Sequence, residues 1–145
     1  MLFADPIPTT AADQRPVITV DDNPMIGEVI GMFISQSPGL RHAGHYLSGE
    51  GVVDAVERQG VAVVVLDYEI PGTDTLGLLR KIVAACPECR ILMLSAHARP
   101  DIVEACRRAG ASGYALKSDS PADLRGLLRH VAEGGNGFIR SPGML

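Results

Sequence analysis

The sequence predicts an α/β domain, a doubly wound parallel sheet of five strands with helices on both faces, in three αβα layers. Three observations predict it. Short runs of Val, Ile and Leu without polar alternation recur along the chain, as in strands buried on both faces of a parallel sheet. Stretches with apolar residues at helical spacing separate those runs, so each strand returns through a right-handed crossover. Finally, 145 residues that are 46% hydrophobic and 21% charged suit one packed domain rather than a two-domain enzyme or a disordered chain.

The segment MLFADPIPTTAADQRP has neither a basic leader nor a long apolar stretch, so it reads as a loose arm over 1–15 and not as a secretory signal. The first strand is Pro16 to Val20. A helix follows, with Asn23 as its N-cap, Pro24 in its first turn and a stripe of Ile26, Val29, Ile30 and Phe33. Leu40 to Leu47 is a weaker strand whose His and Arg content suits a sheet edge, and Val52 to Arg58 is a weaker helix. The third strand is Val61 to Leu66. Leu76, Leu79, Ile82 and Val83 form the next helical stripe, closed by Pro87. Arg90 to Leu94 is the fourth strand, and Ile102, Cys106 and Ala109 mark a helix ending at Gly110. Ser112 to Leu116 is the fifth strand. The last helix opens with the capping box Ser120-Pro121-Ala122-Asp123, carries Leu124, Leu127, Leu128 and Val131, and stops at Gly134-Gly135. The domain therefore spans 16–135, with 136–145 as a tail or the start of a linker.

Composition removes several functions. The longest apolar runs fall far short of the roughly 18–20 residues of a membrane span. A net charge of −4 gives no general attraction to phosphate backbones, so no direct nucleic-acid contact by this chain is expected. Three cysteines make no disulfide scaffold, and a reducing, cytoplasmic setting is the expectation. Of the 13 basic residues only Lys81 and Lys117 are lysines.

Ligands of open parallel sheets bind beyond the carboxyl ends of the strands. The residues there are Asp21 and Asp22 after the first strand, Asp67 after the third, Ser95 after the fourth and Lys117 after the fifth. Taken singly, an Asp after a strand is most often a helix cap or turn former. Jointly they are a site. Two carboxylates about 4 Å apart repel by on the order of 4 kcal/mol at an effective dielectric near 20, which favours a bound cation or raised carboxyl pKa values. Hard oxygen donors on a wet rim favour Mg²⁺, and Lys117 suits the far side of an incoming phosphoryl group.

From about Val17 to Gly135 the chain resembles the receiver domain of two-component response regulators. The motifs match in order: Asp21-Asp22, Asp67 with Pro71 four residues on, Ser95 followed by Ala96, and Lys117 with Tyr114 three residues before it. The stretch GASGYALKSDSPADLRGLLRHVAEGG is most like receivers of the NarL/FixJ type, which usually precede a helix-turn-helix output domain. The resemblance implies a flavodoxin-like fold with strand order 2-1-3-4-5. It implies Asp67 as phosphoacceptor from a histidine kinase or phosphotransfer protein. Mg²⁺ would then be held by Asp22, Asp67 and the backbone carbonyl of Glu69, with Asp21 acting mainly through a water. Ser95 and Lys117 would bind the phosphoryl oxygens, and Ser95 with Tyr114 would switch the face formed by the fourth helix, fifth strand and fifth helix. A homodimer is compatible with it, and so is a stand-alone receiver or phosphorelay intermediate.

Some positions depart from that pattern. Thr75 stands where Gly is usual, which predicts a reshaped turn, and Ser118 rather than Pro follows Lys117. Glu69 and His97 flank the path of attacking water and would tune the phosphoryl lifetime. Other readings fare worse. A phosphatase of the haloacid-dehalogenase type needs a second Asp two residues after the nucleophile, where this chain has Glu69, and a cap domain it has no room for. Only single-turnover chemistry is expected. A flavin mononucleotide site would be repelled by Asp21-Asp22. Cys86-Pro87-Glu88-Cys89 has no second ligand pair to complete a zinc shell. His42 and His45, three apart on a strand, are expected on opposite faces and unable to chelate together.

Overall fold

The computed structural model describes residues 14–138. The elements run β1 (Arg15–Val20), α1 (Pro24–Ser35), β2 (Leu40–Tyr46), α2 (Val52–Gln59), β3 (Val63–Asp67), α3 (Thr75–Ala85), β4 (Arg90–Ser95), α4 (Pro100–Arg108), β5 (Gly113–Leu116), α5 (Pro121–Ala132) and β6 (Gly137–Phe138). All strand pairs are parallel, in the order β2-β1-β3-β4-β5-β6.

Both faces of the sheet are buried, which is why its strands carry no polar alternation. One face packs Ile18, Val20, Val64, Leu66, Ile91 and Met93 against apolar residues of α2, α3 and α4, such as Val56, Leu79 and Cys106. The other packs Val17, Val63, Val65, Leu92 and Leu94 against Ile30, Phe33 and Ile34 of α1 and Leu124, Leu128 and Val131 of α5. Capping follows the sequence: Asn23 accepts from Met25 N–H and Ser120 from Asp123 N–H. Asp74 caps α3 by accepting from Gly77 N–H at 3.0 Å, and the buried Thr75 is the first residue of the helix. Cys89 is buried with its thiol pushed up to about 12, by burial first and then by Cys86, which is the behaviour of an inert core cysteine.

Among the described residues the sheet has six strands, not five. Gly134, at φ +97°, turns the chain back after α5, and Gly137 and Phe138 then pair with Gly113 and Tyr114. Arg90, the first residue of β4, holds this return: its Nη2 donates to the carbonyls of Gly134 and Gly135 and to Asn136 Oδ1. A two-residue strand is too short to show a period, so the chain past Gly135 read as a tail. At the other end, Arg15 already lies in β1, while the rest of the predicted arm, up to residue 13, is outside the described residues.

The expectation for His42 and His45 is also overturned. The β1–β2 register slips between Val17 and Ile18, with Val17 opposite His42 and Ile18 opposite Gly44, so Ala43 is bulged out. A bulge adds one residue and reverses the alternation beyond it. Both imidazoles therefore reach the α1 side, where His42 Nε2 lies 3.0 Å and His45 Nδ1 2.6 Å from Thr19 Oγ1. Gly27 and Gly31 of α1 make room: a Cβ on Gly27 would stand 2.6 Å from the His45 ring, and one on Gly31 3.0 Å from His42 Nδ1. Burial, and then His45, hold the His42 pKa below its ordinary value. A depressed histidine favours the fold above the unfolded pKa near 6.5, and that contribution is lost as pH falls toward the folded value. Chemical unfolding at pH 7.5 and 5.5 is therefore expected to show a stability loss on acidification that is smaller in His42→Gln. An equal loss in both would refute the assignment.

Candidate functional site

The parallel topology brings the ends of β1, β3, β4 and β5 to one rim. Asp21 follows β1 and is pinned from both sides: its N–H donates to Tyr46 O at 2.9 Å and its Oδ1 accepts from Asn23 N–H at 2.9 Å. Asp67 ends β3, and its Oδ1 accepts from Glu69 N–H at 3.1 Å. These two carboxylates are almost wholly covered, at 1% and 2% exposure, whereas Asp22 points outward. One ligand oxygen from each of Asp21, Asp22 and Asp67 falls within 4.8 Å of the others.

Lys117 follows β5 and reaches across, with its Nζ 2.8 Å from Asp21 Oδ2 and 3.3 Å from Asp67 Oδ2. Burial alone would lower its pKa, but the two carboxylates outweigh that and hold the ammonium above its ordinary value. Asp67 moves the opposite way to a simple ion-paired acid. Its pKa is raised, chiefly by burial and with the help of Asp21, against the Glu69 N–H and Lys117. One cation thus serves two buried acids.

The donor set fits a hard divalent cation. All three side-chain donors are carboxylate oxygens, and the buried Asp21 Oδ2 has an ion-pair neighbour but no aligned hydrogen-bond donor.

Ser95 ends β4 at 1% exposure, and its Oγ accepts from His97 N–H at 3.2 Å. Tyr114 is completely buried in β5, and its hydroxyl donates to the carbonyl of His97 at 2.7 Å. Ser95 and Tyr114 are therefore tied to the same residue of the β4–α4 loop. The main-chain role of His97 is one that sequence reasoning missed, because a carbonyl acceptor leaves no trace in the side-chain pattern. Glu69 lies exposed in the β3–α3 turn and meets the site through its N–H, which donates to Asp67 Oδ1.

A family model for the response regulator receiver domain matches residues 17–129. The chain belongs to that family. Its receiver is 31% identical over 126 residues to the nitrate/nitrite response regulator protein NarL of Escherichia coli strain K12, covering 85% of this chain and 58% of that protein. It is 30% identical over 129 residues to the transcriptional activator protein ExaE of Pseudomonas putida, covering 87% and 58%. Among solved structures, a LuxR-family two-component response regulator from Aurantimonas sp. SI85-9A1 superposes with a TM-score of 0.80 at 25% identity, covering 90% of this chain and 92% of that one. These relatives agree with a receiver of the NarL/FixJ type. The chain spans little more than half the length of the two curated relatives. No helix among the described residues is long and apolar enough to cross a membrane.

Proposed function

We propose that this receiver accepts a phosphoryl group on Asp67 from a histidine kinase or phosphotransfer protein and passes the change to a transcription output. The observation that carries the reading is the single lysine bridging two covered carboxylates at the rim. A phosphoryl group arriving there meets a cation already in place and a carboxylate whose ionised form is poorly satisfied.

In the step, an Asp67 carboxylate oxygen attacks phosphorus of a phosphohistidine. The O–P bond of an acyl phosphate forms as the P–N bond breaks, and its electron pair leaves on the imidazole nitrogen. Asp22, Asp67 and the Glu69 carbonyl would hold Mg²⁺, with Asp21 acting through a water, and the ion supplies neutralisation of the phosphoryl charge. Lys117 exchanges its contact with Asp67 for a phosphoryl oxygen, and the Ser95 hydroxyl donates to another. That pull moves Ser95, hence the β4–α4 loop at His97, hence the Tyr114 hydroxyl bound to it. Phosphorylation adds about −1.5 to −2 charges and biases a two-state surface built from α4, β5 and α5. The relatives' roles in transcription support an output domain of that kind, and pairing of two receivers through the switched face is compatible with it.

Intact-mass analysis after incubation with acetyl phosphate and Mg²⁺ tests this. Wild type is expected to gain one phosphoryl group, and Asp67→Asn none. An unlabelled wild type, or equal labelling of the variant, would sink the reading.

A further inference from the structure

Lys117 can bridge Asp21 and Asp67 only if the turn that carries it is held, and neither Lys117 nor Ser118 restricts its own backbone. The fastening comes from Asp119. Lys117 N–H donates to Ser95 O at 2.8 Å, so the preceding N–H, that of Leu116, points the other way, toward the β6 side of β5. There the described β5–β6 pairs are those of Gly113 and Tyr114, and Leu116 N–H finds its acceptor in a side chain. Asp119 Oδ2 accepts from this N–H at 3.0 Å, while Asp119 N–H donates back to Leu116 O at 3.0 Å. One residue thus closes the turn on both polar groups of Leu116, with Lys117 and Ser118 between. The half-buried Asp119 carboxylate is spent on backbone, and the charges that hold the Lys117 ammonium are those of Asp21 and Asp67.

We propose that Asp119 is a positioning residue for phosphoryl binding: its side chain fixes the 116–119 turn that delivers Lys117 to the rim. This rests on the reading of Asp67 and Lys117 as the phosphoryl site. The requirement is an acceptor at the right length, not a negative charge. Asn satisfies it, Ala lacks it, and Glu keeps the charge but overshoots the ring that closes onto Leu116.

Beryllofluoride, a phosphoryl mimic, can be titrated into this chain at saturating Mg²⁺ and followed by tyrosine fluorescence, with Mg²⁺ affinity measured separately. Losing one such hydrogen bond predicts about tenfold weaker beryllofluoride binding in Asp119→Ala and Asp119→Glu, and a change within about twofold in Asp119→Asn. Mg²⁺ affinity is expected to fall in none of the three, since a displaced Lys117 only frees the carboxylates it shares with the ion. In a Lys117→Ala background, Asp119→Ala should add nothing, because the residue it positions is gone. Wild-type affinity in both Ala and Glu variants would overturn the proposal. So would Asn as weak as Ala, which would make the role one of charge, or an undiminished loss in the Lys117→Ala background, which would mean general loosening. Should the Ala variant fail to fold, the Asn and Glu pair decides alone. Failure of wild type to bind, or equal binding by Asp67→Asn, instead overturns the phosphoryl site on which the proposal rests.

Discussion

Lys117→Ala is expected to slow phosphoryl transfer from acetyl phosphate by about 10²–10³-fold, the usual cost of deleting one preorganised group that meets developing charge. The same change is expected to destabilise the protein at pH 7. It removes the cation shared by two carboxylates that are 1% and 2% exposed. Breaking a buried pair costs about 3–5 kcal/mol, and Lys117, with 26% of its side chain open to water, is screened enough to bring this to about 2 kcal/mol. Mg²⁺ should return part of that loss, since it supplies positive charge to the same oxygens. Because its carboxylate neighbours raise the Lys117 pKa, the ammonium stays charged through neutral pH, and the wild-type advantage should not fade between pH 7 and 9. Lys117→Arg separates the two effects. Its fork keeps the charge but spreads it over a planar group, so stability should recover more than rate. Denaturant unfolding with and without Mg²⁺, beside single-turnover labelling, measures both. A variant labelled at the wild-type rate would remove Lys117 from the site.

The rim was legible because its residues sit at strand ends, where apolar runs stop abruptly on Asp21, Asp67, Ser95 and Lys117 and each break is visible in one dimension. β2 was legible as an edge for the same compositional reason. The local faults in the ladder were not visible. Nothing in LRHAGHY announces that Ala43 is bulged, because the register of a strand is set by its partner, and the slip alone decides that both imidazoles face Thr19. Nor does GGNGF announce a strand, since its pairing depends on the Arg90 clamp, a contact between residues more than forty positions apart. Asp119 was passed over because its side chain serves a backbone N–H, a partner that leaves no mark in the side-chain pattern. Which side chains meet at the rim could be read from the sequence. Main-chain chemistry could not, and it is main-chain groups of Leu116 and His97 that hold Lys117 and Tyr114 in place.

Asp67→Asn is expected to stabilise the protein in the absence of Mg²⁺ while abolishing phosphoryl acceptance. The sign follows from the direction of its titration. Burial raises the Asp67 pKa above the unfolded value near 3.9, so the protonated acid favours the fold. That contribution is complete below the unfolded pKa and is lost as pH rises through the folded one. At neutral pH the ionised carboxylate therefore works against folding, held beside Asp21 with one lysine between them. Asn is close in shape, can keep accepting from Glu69 N–H, and carries no charge, so the repulsion goes and the packing stays. Asp67 is almost wholly covered, but Lys117 beside it offsets much of the repulsion, and a gain of about 1 kcal/mol is the appropriate scale. Two dependences distinguish this from generic stabilisation. The advantage of the variant should shrink as pH falls toward 4, where wild type becomes neutral at the same position. It should also shrink as Mg²⁺ is added, because a trio of carboxylates would bind the ion more tightly than the variant's pair and gain stability as the logarithm of one plus free ion over Kd. Unfolding curves over a pH and Mg²⁺ grid would show the two proteins converging along both axes. A variant less stable than wild type at pH 7 without Mg²⁺ would mean that Lys117 satisfies both carboxylates, and that the site is a structural ion pair rather than one held ready for a phosphoryl group.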